Sequence, residues 1–172
     1  SSIARRLGLE VSGLVDSSRN VDGIVEVMLD ATQHYSLPLT EGRLFGWHAA
    51  LFPTGHSGMY KIEVAKFRSG EMQVVSGAMG KEKVHYEAPK GGLVEMEMTK
   101  FLQCFNNGAQ VDPVLKAAIA HFWFVTIHPF DDGNGRIARA VADMQLTRSD
   151  GSPQRFYSMS NQILTERKKY YQ

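Results

Sequence analysis

Cysteine is almost missing from this chain: Cys104 is the only one in 172 residues. That excludes an internal disulfide framework and suits a reducing compartment, so a cytoplasmic location is expected. Charge of one sign is missing too. Nineteen basic against eighteen acidic side chains leave a formal charge of +1. The molecule as a whole therefore has no pull on an anionic membrane, and no direct nucleic-acid binding is expected. No apolar run reaches the length of a membrane span, no charged-then-apolar leader opens the chain, and there are no repeats or low-complexity tracts. The first residue is Ser1 rather than Met, and a piece of a longer chain is expected. What remains is an ordinary globular balance, 43% hydrophobic and 22% charged, enough for one buried core at this length.

Along the chain, Val11–Gly23 is rich in Ser, Gly and Asp and reads as a linker, so residues 1–23 form an N-terminal segment ahead of a core over 24–172. Ile24, Val27, Met28, Ala31 and Tyr35 then fall at helical spacing, with Asp22 as N-cap. Thr40 caps a second helix with an inner face of Leu44, Trp47, His48 and Leu51, and Leu39 and Leu44 stand where a hydrophobic staple would. From Met59 to Phe67 the pattern alternates with period two, Arg68-Ser69-Gly70 is a turn signal, and Met72–Val75 returns as a strand. The polar segment Ser76–Lys83 reads as the exposed tip of a hairpin. Helical spacing resumes with Val94, Met98, Phe101 and Phe105. Asp112-Pro113 opens a further helix, Val114–Ile127, apolar nearly all round and therefore expected at the centre of the core. Another runs from about Arg136 to Arg148, and a last begins near Ser160. The fold class is mainly α with a small inserted β-hairpin.

Chemistry concentrates between His128 and Arg139, in the run His-Pro-Phe-Asp-Asp-Gly-Asn-Gly-Arg-Ile-Ala-Arg. A Gly-Asn-Gly turn at a helix start aims backbone N–H groups into one concavity, which favours an anion. Arg136 and Arg139 share a helix face and add positive charge beside it. Asp132 fits there if it holds a divalent cation that bridges phosphates. An unperturbed histidine has a pKa of about 6.5, which suits His128 to the role of general base near neutral pH. Taken singly, each residue has a plainer role. A histidine before proline packs or caps, Gly-Asn-Gly is a turn, Asp131 or Asp132 caps the helix, and Arg139 pairs with Asp143. Together, within twelve positions, they describe a phosphoryl- or nucleotidyl-transfer site.

The run resembles the signature of the Fic family, His-x-Phe-x-Asp/Glu-Gly-Asn-Gly-Arg-x-x-Arg, at every specified position. Gly58-Met-Tyr-Lys-Ile is similar to the approach to that family's flap hairpin, Tyr86-Glu-Ala-Pro89 to its exit, and Arg167-Lys-Lys-Tyr-Tyr171 to its C-terminal tyrosine pair. The resemblance implies a Fic-type helical bundle with an inserted β-hairpin flap. It implies transfer of AMP from ATP, with Mg²⁺, to a Ser, Thr or Tyr hydroxyl of a protein substrate, which includes the enzyme itself. His128 would be the base and Asp132 the metal ligand. Gly133, Asn134 and Gly135 would cradle the phosphates, Arg136 and Arg139 would neutralise them, and Phe130 would point into the core. Tyr170 and Tyr171 would lie near the adenosine. The hairpin Met72–Tyr86, through Val75, Ser76, Gly77 and His85, would register the target backbone by strand addition. Alternatives on the same fold are transfer of UMP, phosphocholine or phosphate, or removal of AMP. A non-catalytic nucleotide-binding module is the reading from another class.

The sequence departs from the family at Lys61, where many relatives have arginine, and at Cys104, where tryptophan is common; Cys104 reads as a packing change. His48 and His121 lie on apolar helix faces and read as satisfied core histidines. The family's inhibitory motif, Ser/Thr-x-x-x-Glu-Gly/Asn, has its nearest match at Ser18–Gly23, with Asp22 in place of glutamate.

Overall fold

The computed structural model describes residues 19–76, 83–107, 111–153 and 165–166. Helix α1, Arg19–Gln33, begins within the stretch read as linker, so Asp22 sits inside its first turn and not at the N-cap. Its inner face is the expected one except at Ile24, with Met28 and Tyr35 packed on the core. Val25, Val27 and Ala31 are buried while Ile24 is exposed. At Gly23, α1 runs so close to the next helix that a Cβ would collide with the Ala50 carbonyl. Helix α2, Glu41–Leu51, starts at Thr40, whose hydroxyl accepts the Arg43 N–H at 3.2 Å. Leu44, Trp47, His48 and Leu51 form its buried face, and Leu39 and Leu44 are both buried in the staple positions.

Strands β1 (His56–Ser57) and β2 (Tyr60–Lys61) make a minimal antiparallel hairpin. Its two-residue turn has Gly58 at φ +59°, the glycine-first pattern that suits strand twist. The longer strand expected through Phe67 is not there. Past Lys61 the chain turns, Ala65 takes a left-handed φ of 55°, and Ile62, Val64 and Phe67 all pack on the core. Side chains replace a partner strand: Asp131 accepts the Glu63 N–H at 3.1 Å and His48 Nδ1 accepts the Ala65 N–H at 3.1 Å. Strands β3 (Gln73–Ser76) and β4 (Lys83–Glu87) form the second antiparallel hairpin. Val74 faces Tyr86 and Val75 faces Val84, which leaves His85 as the extra residue of a bulge.

Helix α3, Gly91–Asn106, buries the expected Val94, Met98, Phe101 and Phe105, and carries Cys104 exposed. Helix α4, Pro113–Ile127, is capped by Asp112, whose carboxylate accepts the N–H groups of Val114 and Leu115 at 3.0 Å each. It is not the central helix. Only Ala117, Ala120, Phe124 and Ile127 are buried, whereas Val114, Leu115, Ile119 and Phe122 face out. The centre belongs to helix α5, Asn134–Asp150, which packs against α1, α2 and α4. The bundle is thus mainly helical with two small hairpins among the described residues. Aromatic rings fill the space beneath the loop that joins α4 to α5: Phe130 is fully buried against Phe45, Phe67 and Phe124.

Candidate active site

The loop from His128 to Gly133 joins the end of α4 to the start of α5, and four independent ties fix its backbone. The first is Asn134, buried at the head of α5. Its Oδ1 accepts the Phe130 N–H at 2.9 Å and its Nδ2 donates to the Phe130 carbonyl at 2.7 Å. Both ends of the Asn134 amide are therefore engaged in closing the loop. The second is His48. Because its Nδ1 accepts from Ala65, its Nε2 carries the proton and donates to the Asp132 carbonyl at 3.2 Å. The ring also stacks on Phe130 at 4.3 Å. Burial, the largest influence, lowers its pKa and keeps it neutral.

The third tie is Arg68, buried although it is a cation. Its guanidinium donates to the carbonyls of His128 at 2.6 Å, Gly70 at 2.6 Å, Pro89 at 2.7 Å and Ile127 at 3.2 Å, and its own N–H donates to Pro129 at 2.8 Å. A buried charge demands such saturation. The fourth is Asp131, bound to the Glu63 N–H. Sequence reasoning read Arg68 only as part of a turn; a lone charge flanked by Phe67 and the strand-like run before it was the sole signal.

These ties hold His128 at φ 51°, ψ 59°, a left-handed conformation that a non-glycine residue keeps only when its surroundings enforce it. Its Nδ1 lies 3.2 Å from the Val125 carbonyl. A carbonyl only accepts, so Nδ1 carries the proton and Nε2 keeps its lone pair. Burial is the main reason the His128 pKa lies below the ordinary histidine value, and the Arg68 charge adds to it. Near neutral pH the ring is an unprotonated base.

Asp132 lies beside it. Burial works to raise its pKa, but hydrogen bonds from Ser57 and the Gly133 N–H, with the Arg136 and His48 neighbours, prevail and hold the carboxyl below the ordinary range. Gly133 N-caps α5 at φ 82°, where any side chain is strained and a Cβ would sit 2.8 Å from the Phe52 ring. The first N–H groups of α5 have no intrahelical acceptor, so the junction offers an anion seat. Arg136 and Arg139 flank it. The Arg136 guanidinium lies 4.7 Å over the Phe52 ring and 3.7 Å from Asp132 Oδ2, and Arg139 reaches back beside Gly135.

The structure thus brings His128, Asp132, Gly133, Asn134, Gly135, Arg136 and Arg139 to one helix junction. Val75, Ser76 and His85 lie on the β3–β4 hairpin, tied to α4 by the Tyr86 hydroxyl donating to the Thr126 carbonyl at 3.0 Å. Gly77, Tyr170 and Tyr171 lie outside the described residues. A cleft of about 530 Å³ lined by Tyr35, Asn106, Lys116 and Arg148 sits at the far end of α5. Arg148 is engaged there by the carbonyls of Tyr35 and Leu37 at 2.7 and 2.8 Å.

A family model described as Fic/DOC family matches residues 38–146. Protein adenylyltransferase fic-1 of Caenorhabditis elegans is 49% identical over 43 residues, which is 25% of this chain and 8% of that protein. Protein adenylyltransferase Fic of Drosophila melanogaster is 37% identical over 67 residues, 38% of this chain and 14% of that protein. The crystal structure of a Fic domain containing signaling protein from Bacteroides thetaiotaomicron superposes with a TM-score of 0.64 at 25% identity, covering 86% of this chain and 55% of that one. A Fic family protein from Desulfovibrio desulfuricans gives 0.58 at 26% identity, covering 87% and 42%. The chain therefore spans only a part of the proteins it matches.

Proposed function

The chain belongs to the Fic/DOC family, and from that premise we propose that it transfers AMP from ATP to a hydroxyl side chain of a protein, releasing pyrophosphate. The observation that carries this reading is the His128–Arg139 junction, where a neutral base of fixed tautomer faces an anion seat flanked by a carboxylate and two arginines. Relatives named protein adenylyltransferase support the choice of transferred group.

In this reading the Ser, Thr or Tyr hydroxyl of the target gives its proton to Nε2 of His128 while its oxygen bonds to the α-phosphorus. The bond from that phosphorus to the bridging oxygen breaks, and pyrophosphate leaves with the electron pair. The Val125 carbonyl holds the imidazole through Nδ1, so the basic nitrogen is the one that meets the hydroxyl. The α5 N-terminus takes phosphate oxygens, and Arg136 and Arg139 neutralise charge on the leaving group. The β3–β4 hairpin registers the target backbone by strand addition, a role suited to an exposed two-stranded edge.

The donor set also suits Mg²⁺. Among the described residues no three His, Cys, Asp or Glu side chains cluster, so no all-protein cage exists. Mg²⁺ prefers one or two carboxylates together with phosphate oxygens and water. Asp132 is the carboxylate that would hold it, and the ion's contribution when bound is to offset phosphate charge as pyrophosphate departs.

The test is incorporation into protein from ATP labelled at the α- or the γ-phosphate. Label from the α position alone is expected, and His128→Ala should lower it about a hundredfold or more. Retention of γ-label, or transfer indifferent to His128→Ala, would sink AMP transfer by this site.

A further inference from the structure

We infer that Ser57 is a positioning residue that keeps the carboxylate of Asp132 from closing onto Arg136 and leaves it available to a divalent cation. This rests on the phosphate-transfer reading above and assigns a residue that lies outside the family signature.

Ser57 comes from the β1–β2 hairpin, 75 positions before Asp132, yet its hydroxyl donates to Asp132 Oδ2. The other oxygen, Oδ1, accepts the Gly133 N–H at 2.5 Å. With one donor on each oxygen, both torsions of the side chain are defined relative to the start of α5. The competing partner is Arg136, whose nearest nitrogen is 3.7 Å from the same Oδ2. That separation is beyond hydrogen-bond range and leaves the pair partly exposed and weak. A small rotation of the carboxylate would close it into a two-bond arginine–carboxylate fork, the strongest arrangement open to those groups. The carboxylate meant for a cation and the guanidinium meant for a phosphate would then satisfy each other.

The segment after α2 opposes this from both sides. Phe52 stacks under the Arg136 guanidinium at 4.7 Å, and Ser57, five residues on, holds Asp132. The short hairpin that carries Ser57 is stiff. Its turn has Gly58 at φ +59°, Ser57 pairs with Tyr60, Gly55 N–H donates to Phe52 at 3.0 Å, and Ile62 N–H donates to Gly55 at 3.1 Å. A hydroxyl is the appropriate group at this point. It donates one hydrogen bond without bringing a charge, and an ionised carboxylate with about four lone-pair sites still has some left for a cation.

The experiment titrates Mn²⁺, a paramagnetic stand-in for Mg²⁺, into the whole chain with a non-hydrolysable ATP analogue, and reads bound ion by electron paramagnetic resonance. Metal-free affinity for the analogue is measured beside it. Ser57→Ala should weaken Mn²⁺ binding about 10- to 100-fold, the range for loss of a group that orients a metal ligand. Its metal-free nucleotide affinity should fall much less, because only Arg136 is then diverted from phosphate, and Ser57→Thr, which keeps the hydroxyl, should retain Mn²⁺ binding. Unchanged Mn²⁺ affinity in Ser57→Ala overturns the inference and leaves AMP transfer standing. An equal fall in metal-free nucleotide affinity also overturns it, because Ser57 would then be supporting the fold. A parent chain that holds no Mn²⁺ with the analogue would overturn both readings.

Discussion

Helices α4 and α5 lie against each other, and each has the surroundings that the other's composition asks for. Fourteen residues from Val114 are almost all apolar, yet Val114, Leu115, Ile119 and Phe122 are exposed, Phe122 to 72%. Helix α5 contains Asn134, Asp143, Gln145 and Thr147, and all four are buried. Position in the packing decides this. Helix α5 has neighbours on three sides, α1, α2 and α4, while α4 packs mainly on α3 and α5. An apolar stripe is a demand for cover, and how much cover arrives depends on the other helices. The functional benefit falls to α5, since its N-terminus carries the anion seat and is held from every side.

The sharpest way to break this contrast is to shave the two faces of α4 in parallel. Phe124→Ala, on the buried face beside Phe101 and Phe130, should cost about 3–5 kcal/mol in urea unfolding. A loss below about 1 kcal/mol would mean that this interface is not the core it resembles. At the start of α5, Gly133→Ala forces a side chain into a left-handed position, which costs about 1–2 kcal/mol. It also presses on the Phe52 ring, so AMP transfer should fall further than stability does. Transfer at the parental rate would show that the turn does not set the site.

Acid gives a smaller effect with a defined sign. His48 and His128 sit at the α5 loop and His121 bonds to the Ala138 backbone of α5, and burial lowers the pKa of all three. Below the ordinary value of about 6.5 the unfolded chain then binds more protons than the folded one. Stability is complete above that value and is lost as pH falls through the lower folded values. Transfer should follow the same direction, because His128 must be unprotonated. Urea midpoints at successive pH values check this, and a midpoint that climbs on acidification contradicts it. The smallest change belongs to Phe122→Ser on the outer face of α4, within about 0.5 kcal/mol of the parent.

Much of the fold was legible because local signals were strong. The Thr40 and Asp112 caps, the α2 face from Leu44 to Leu51, and the α3 face from Val94 to Phe105 all appear where spacing places them. So does the grouping of the signature residues, which are neighbours in the chain. What escaped depended on contacts between distant segments. Nothing in the sequence around Ser57 or Arg68 names Asp132 or the carbonyls of Ile127 and His128 as partners. The alternation from Met59 to Phe67 promised a strand, but the N–H groups of Glu63 and Ala65 found side-chain acceptors instead. The early start of α1 goes with one close approach at Gly23, which composition read as linker.

The two-bond clasp between Asn134 and the Phe130 backbone has a thermodynamic corollary. The junction is already folded around its own amide, so binding of the proposed nucleotide would not have to order the loop. An association of that kind gives up little chain entropy and buries little fresh apolar area. Its calorimetric record should be a small change in heat capacity, with affinity governed by ionic strength more than by temperature.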